Sequence, residues 1–142
     1  MFSVAVISAV ALITLRGKTP AVSPAARTAQ PLPSYAPKGE LAPGFPKELI
    51  LDSKATPSGS YAINYSAGSV LRTASFDSGE TMLSLFSLYK TYFNGNGWSI
   101  INEITQYEDS RGLYAVKGGA VSSVTIVNNG KTRQVMVGYS GE

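Results

Sequence analysis

From Ser78 to Trp98 the chain reads SGETMLSLFSLYKTYFNGNGW, a stretch that combines helical periodicity with signals for both ends of a helix. Met82, Leu85, Phe86, Tyr89, Tyr92 and Phe93 recur at spacings of three and four, which places them on one helical face. Ser84, Ser87, Lys90 and Thr91 fall mostly on the other. Asp77 or Ser78 is expected to cap the start, with Glu80 completing a capping box. Asn94-Gly95 is expected to supply a left-handed stop, and Asn96-Gly97 to prevent a restart. Full burial of each large side chain is worth roughly 1.5–3 kcal/mol, so this face is expected to be the largest single stabiliser of the domain. Everything after residue 46 then packs around it, with Trp98 as an anchor at the helix–strand junction.

Strands are predicted on both sides of the helix. Tyr61, Ile63 and Tyr65 alternate with Ala62 and Asn64, the period of a half-buried strand. The turn cluster Ser66-Ala67-Gly68-Ser69 and a second strand from Val70 to Phe76 complete a hairpin. Glu48 to Leu51 reads as a short strand or the entry to one. Beyond the helix, strands are expected over Trp98–Gln106, Arg111–Lys117, Val121–Asn128 and Thr132–Tyr139. Asn129-Gly130 signals a two-residue hairpin turn that would pair Asn128 with Lys131 and Val124 with Val135. In that register Val124, Ile126, Val135, Val137 and Tyr139 share a face. The fold class expected is α+β: a β-hairpin, one central helix, then about four antiparallel strands, with the helix packed on one face of the sheet.

Leu88-Tyr89-Lys90-Thr91-Tyr92-Phe93 followed by Asn96-Gly97-Trp98, then Ala115-Val116-Lys117-Gly118-Gly119 and a closing V-x-V-x-Tyr strand, carries a resemblance. The pattern is similar to the YxxYFxxxGW helix ending of small, N-terminally anchored bacterial envelope proteins of unknown function. It extends over about residues 47–140. The resemblance implies an extracytoplasmic location and supplies no catalytic residues.

The front of the chain fits that placement. Phe2 to Leu15 runs without a charge, proline or glycine. It is shorter than the roughly 20 residues of a spanning helix and lacks a preceding basic region. Residues 1–16 are therefore expected to be an anchor or signal helix whose true start lies upstream of Met1. Arg16, Lys18 and Arg27 follow the apolar run, against the positive-inside rule, and upstream basic residues would remove the conflict. Thr19-Pro20-Ala21 and Ser23-Pro24-Ala25 offer weak cleavage sites, which would make the domain secreted. Residues 17–46 hold every proline except Pro57 and are expected to form a semi-rigid spacer, leaving 47–142 as the globular domain. Leu41 to Pro46 are placed close enough to the domain to pack against it.

The composition narrows function by what it omits. The chain has no cysteine and no histidine, so a thiolate site, a cysteine nucleophile and the commonest general base near neutral pH are all missing. The net charge of +3 comes from Arg16, Lys18, Arg27 and Lys38 against Glu40, and the remainder is balanced. Nucleic acid is not expected as a partner, because binding it requires neutralising phosphates. No phosphate loop is present, and Glu108-Asp109 reads as a solvated turn. No cofactor, metal or enzymatic activity is expected. Tyrosine is the surplus, and Tyr61, Tyr65, Tyr107 and Tyr114, on or beside predicted strands, are the candidate binding residues for a protein or glycan partner. The expected function is thus a membrane-anchored extracytoplasmic module that binds without catalysis. The alternative is a structural subunit of a pilin-like filament with the N-terminal helix in its core, although no acid precedes Glu40.

Overall fold

The computed structural model describes residues 29–141. Within it residues 31–141 belong to one compact unit. The expected anchor over 1–16 and the spacer up to residue 28 lie outside the described residues. The elements are β1 (Ser34–Tyr35), a single 3-10 turn (Lys47–Leu49), β2 (Pro57–Asn64), β3 (Val70–Ser78), α1 (Met82–Gly95), β4 (Ser99–Ile104), β5 (Ser110–Lys117), β6 (Ala120–Asn129) and β7 (Thr132–Ser140). They build one helix against a seven-stranded antiparallel sheet in the order β1-β2-β3-β7-β6-β5-β4. The α+β architecture expected from the sequence is present, with one strand more than the pattern indicated.

The order follows from the path of the chain. β2 and β3 form the first hairpin, α1 carries the chain to the far edge, and the meander β4 to β7 returns to pair with β3. The helix lies over β4, β5 and β6. The rest of the same face is covered by the segment before β2, which inserts Phe45 and Leu49 into the core. Phe76, Leu85, Tyr89, Phe93, Ile126, Val135 and Val137 are fully buried between these layers. Tyr89 carries its hydroxyl into the core and donates to the Leu49 carbonyl at 2.8 Å, which ties the helix to that covering segment.

The proline-rich stretch therefore begins to fold sooner than expected. Ser34 and Tyr35 pair with Ala62 and Tyr61, and Ala36 N–H donates to the Ser60 carbonyl. Pro33 and Pro37 bracket this strand and keep it to two residues, because proline cannot donate to a ladder. Ala42 is buried, and its N–H donates to Ser60 Oγ at 2.8 Å. Glu48 to Leu51 does not form a strand: Leu49 and Ile50 donate three residues back to Pro46 and Lys47, which curls the backbone into the 3-10 turn.

Three local expectations are corrected by pairing. The helix is capped by Thr81, whose Oγ1 accepts from Ser84 N–H at 3.1 Å, and not by Asp77 or Ser78. Both of those belong to β3, where they pair with Gln134 and Arg133. The stop lies at Gly97, with φ of 76°, and not at Gly95, which remains helical. Trp98 N–H donates to the Phe93 carbonyl at 3.0 Å and the two rings sit 5.5 Å apart, the backbone bond and apolar contact of a Schellman ending. In the last hairpin Asn129 pairs with Thr132 and Val124 with Val137, so the turn residues are Gly130 and Lys131. An Asn-Gly turn of the expected kind needs two consecutive positive φ values, whereas only Gly130 has one, at 74°. The register shift is two residues, an even number, so every predicted face is preserved.

Candidate functional site

Among the described residues the covering layer leaves one sheet face open, and the pairings show what lies on it. One row runs laterally across all seven strands: Asn102, Tyr114, Ser123, Gly138, Thr73, Tyr61 and Tyr35. A neighbouring row is largely aliphatic, with Val116, Val121, Leu71 and Ile63. The row on the other side contains Ile104, Gly112, Thr125 and Met136. Among the strand residues of this face only Asp77 is charged. The other charged side chains among the described residues lie on the helix-side face, on α1, or in loops and turns.

The four tyrosines singled out in the sequence divide. Tyr61 and Tyr114 share the open face and the same lateral row. Four strand spacings separate them, about 19 Å, so they flank a shared floor of Ser123, Gly138 and Thr73 without touching. Tyr65 opens the turn after β2, where its N–H donates to the Ser69 carbonyl. Tyr107 lies in the loop between β4 and β5, and its carbonyl accepts from Arg111. Neither joins the row. Tyr35, overlooked in the proline-rich stretch, packs its ring 5.6 Å from that of Tyr61 and doubles the aromatic wall on that side. A tyrosine two residues after a proline was the available signal. Near Tyr114 a shallow hollow of about 100 Å³ opens beside Asn102, Ile104, Gly112 and Ser123.

Two larger concavities flank the helix. At its N-terminal end about 420 Å³ is lined by Asp52, Lys54, Glu80, Ser84 and Ser87. Asp52 accepts from Ser78 Oγ at 2.5 Å and from Lys54 N–H at 2.9 Å. The Ser78 bond, followed by the Lys54 backbone bond, holds its carboxyl below the usual carboxylate value. Such a group stays ionised and is spent on joining the loop to the end of β3, so it is not poised for proton transfer. Among the described residues no three His, Cys, Asp or Glu side chains gather in one place.

At the C-terminal end of α1 a cleft of about 510 Å³ is lined by Glu48, Tyr92, Asn96, Trp98, Lys117 and Tyr139, among others. The three aromatic side chains are half-buried there. Phe93 holds two of them in place, with Tyr92 edge-on at 5.9 Å and Trp98 tilted at 5.5 Å. Burial, and then the nearby Glu48 carboxylate, raises the Tyr92 phenol above its ordinary value, so it remains a hydrogen-bond donor at neutral pH. Sequence reasoning assigned Tyr92, Trp98 and Tyr139 to packing. The cleft they line depends on Glu48 and Lys117 being brought beside them by the 3-10 turn and by β5. No protein-family model, curated protein or solved structure matches this chain.

Proposed function

We propose that this chain is a non-catalytic binding module, held outside the cytoplasm by its apolar N-terminal segment, which engages a protein surface through the open sheet face. The observation that carries this reading is the charge distribution: a face of seven strands with Asp77 as its one charged strand residue. Solvated sheet faces ordinarily carry Lys and Glu, whereas the cores of protein interfaces are depleted of charge and enriched in Tyr and Met. Here Tyr35, Tyr61, Tyr114 and Met136 stand over small residues, and Met136 and Tyr114 are 41% and 43% exposed. No helix among the described residues is long and apolar enough to cross a membrane. Anchoring therefore rests on Phe2 to Leu15.

Site-specific photo-crosslinking in intact cells tests the face. A photoreactive residue at Ser123, on its floor, is expected to give a discrete adduct that the Tyr61→Ser, Tyr114→Ser double variant loses. The same residue at Leu83, on the outer side of the helix, is expected to give none. Identical adducts from both positions, or none from Ser123, would remove the open face from consideration. Protease added to intact cells addresses location, since a domain that is cut only after lysis is not extracytoplasmic.

A further inference from the structure

We infer that the cleft at the C-terminal end of α1 is a second binding site, independent of the open sheet face, and that it takes a neutral polyhydroxylated ring, the chemistry of a saccharide unit. Its volume of about 510 Å³ suits one or two such rings. Tyr92, Trp98 and Tyr139 provide flat apolar surfaces for the C–H faces of a sugar. Phe93 orients the first two before any ligand arrives, which lowers the ordering cost of binding.

The polar groups of the cleft point to the same chemistry. Among the described residues, the side-chain hydrogen bond made by this set is Asn96 Nδ2 to the Tyr92 carbonyl, at 2.8 Å. The ion pair among the described residues is Lys90 with Glu103, so Glu48 and Lys117 are not paired with each other. Two phenols, an indole N–H, a carboxylate and an ammonium thus surround the aromatic surfaces with unused donors and acceptors. A ring carrying hydroxyl groups, each both donor and acceptor, matches such a mixed set. Glu48 and Lys117 cancel in charge, so neither an anion nor a cation gains a net Coulombic advantage. That balance leaves stacking and hydrogen bonding, which a neutral hydroxylated ring supplies, as the main contributions to affinity.

Trp98 is the single tryptophan of the chain and lines the cleft, so its emission reports on the site directly. The purified full chain is titrated with neutral mono- and oligosaccharides, a uronic acid and an amino sugar, each to about 10 mM, below which a weak single-site ligand should show curvature. A saturable change in Trp98 emission with neutral sugars is expected. Glu48→Gln and Lys117→Met, both at exposed positions, should each weaken it about tenfold or more while leaving the thermal midpoint unchanged. Oligosaccharides that bind more tightly than single sugars would identify a polymer as the source, and equal affinities a free sugar. No saturable change with any neutral sugar, a response confined to the charged sugars, or a response that both variants retain would each overturn the inference. The Ser123 crosslink should be unaffected by either variant, so the two sites fail separately.

Discussion

Asp52 shows how much one side chain contributes to the junction before the helix. Its carboxylate accepts from Ser78 Oγ, and the same oxygen of Ser78 accepts from Glu80 N–H at 3.2 Å. The loop at residue 52, the end of β3 and the approach to α1 are thereby linked through two side chains. Asp52→Ala is expected to destabilise the domain by about 1 kcal/mol at neutral pH, the upper range for a largely solvated charged group. The folded-state carboxyl lies below its ordinary value of 3.8, so this stabilisation is full above that value and is lost as pH falls through the folded pKa. Denaturant unfolding of the two proteins should therefore differ at pH 7 and converge in acid; a difference that persists in strong acid would assign the effect to packing. Spacing alone could not reveal this pair, because Asp52 and Ser78 are brought close where β2 pairs with β3, with Pro57 beside Phe76.

Among the elements, α1 was the most legible and its ends the least. The apolar face required only a spacing of three and four, and Leu85, Tyr89 and Phe93 are fully buried as that spacing demands. The ends depended on neighbours. β3 continues through Ser78 because β7 offers it partners, which displaces the cap to Thr81. The ending moved from Gly95 to Gly97 because Trp98 packs on Phe93 only from that position. The two glycines should consequently respond in opposite directions. Gly97→Ala forces a side chain into the left-handed region and should cost about 1–2 kcal/mol. Gly95→Ala, helical and with open space at its Cβ position, should be neutral or stabilising by up to about 1 kcal/mol. Thermal unfolding of both variants checks this, and equal effects would place the stop elsewhere. The sheet edges are protected by similarly local means: two prolines bracket β1, and a bulge between Ile100 and Asn102 interrupts β4.

For the molecule as a whole, the boundary of the folded unit matters most. Composition placed it after Pro46, since prolines dominate what precedes, but Tyr35, Ala42 and Phe45 all contribute to the sheet or core. A chain that starts at Pro31 should unfold with the stability of the full protein's domain. One that starts at Lys47 loses the Phe45 side chain and the cover it gives to β3, and should be weaker by at least about 3 kcal/mol. Chemical denaturation of the two decides the matter, and equal stabilities would return residues 31–46 to the spacer.

Periodicity within each element was enough to identify the helix, the six strands from β2 to β7 and which of their side chains face inward. These are properties of 3.6-residue and 2-residue repeats, and of residue types, that no long-range contact can alter. Even the misplaced turn at Asn129-Gly130 left every strand face correct, because its error was an even number of residues. What joins distant segments was decided by tertiary structure alone. The alignment of Tyr114 with Tyr61 across β6, β7 and β3 exists because β7 returns beside β3, and the pairing of Tyr35 with Tyr61 follows from the same sheet. The cleft beside Trp98 likewise requires Glu48 and Lys117, far apart in sequence, to meet at one end of the helix. The helix at Ser78–Trp98 could be read residue by residue; the surfaces it leaves open, and the one it ends beside, are set by how the chain closes around it.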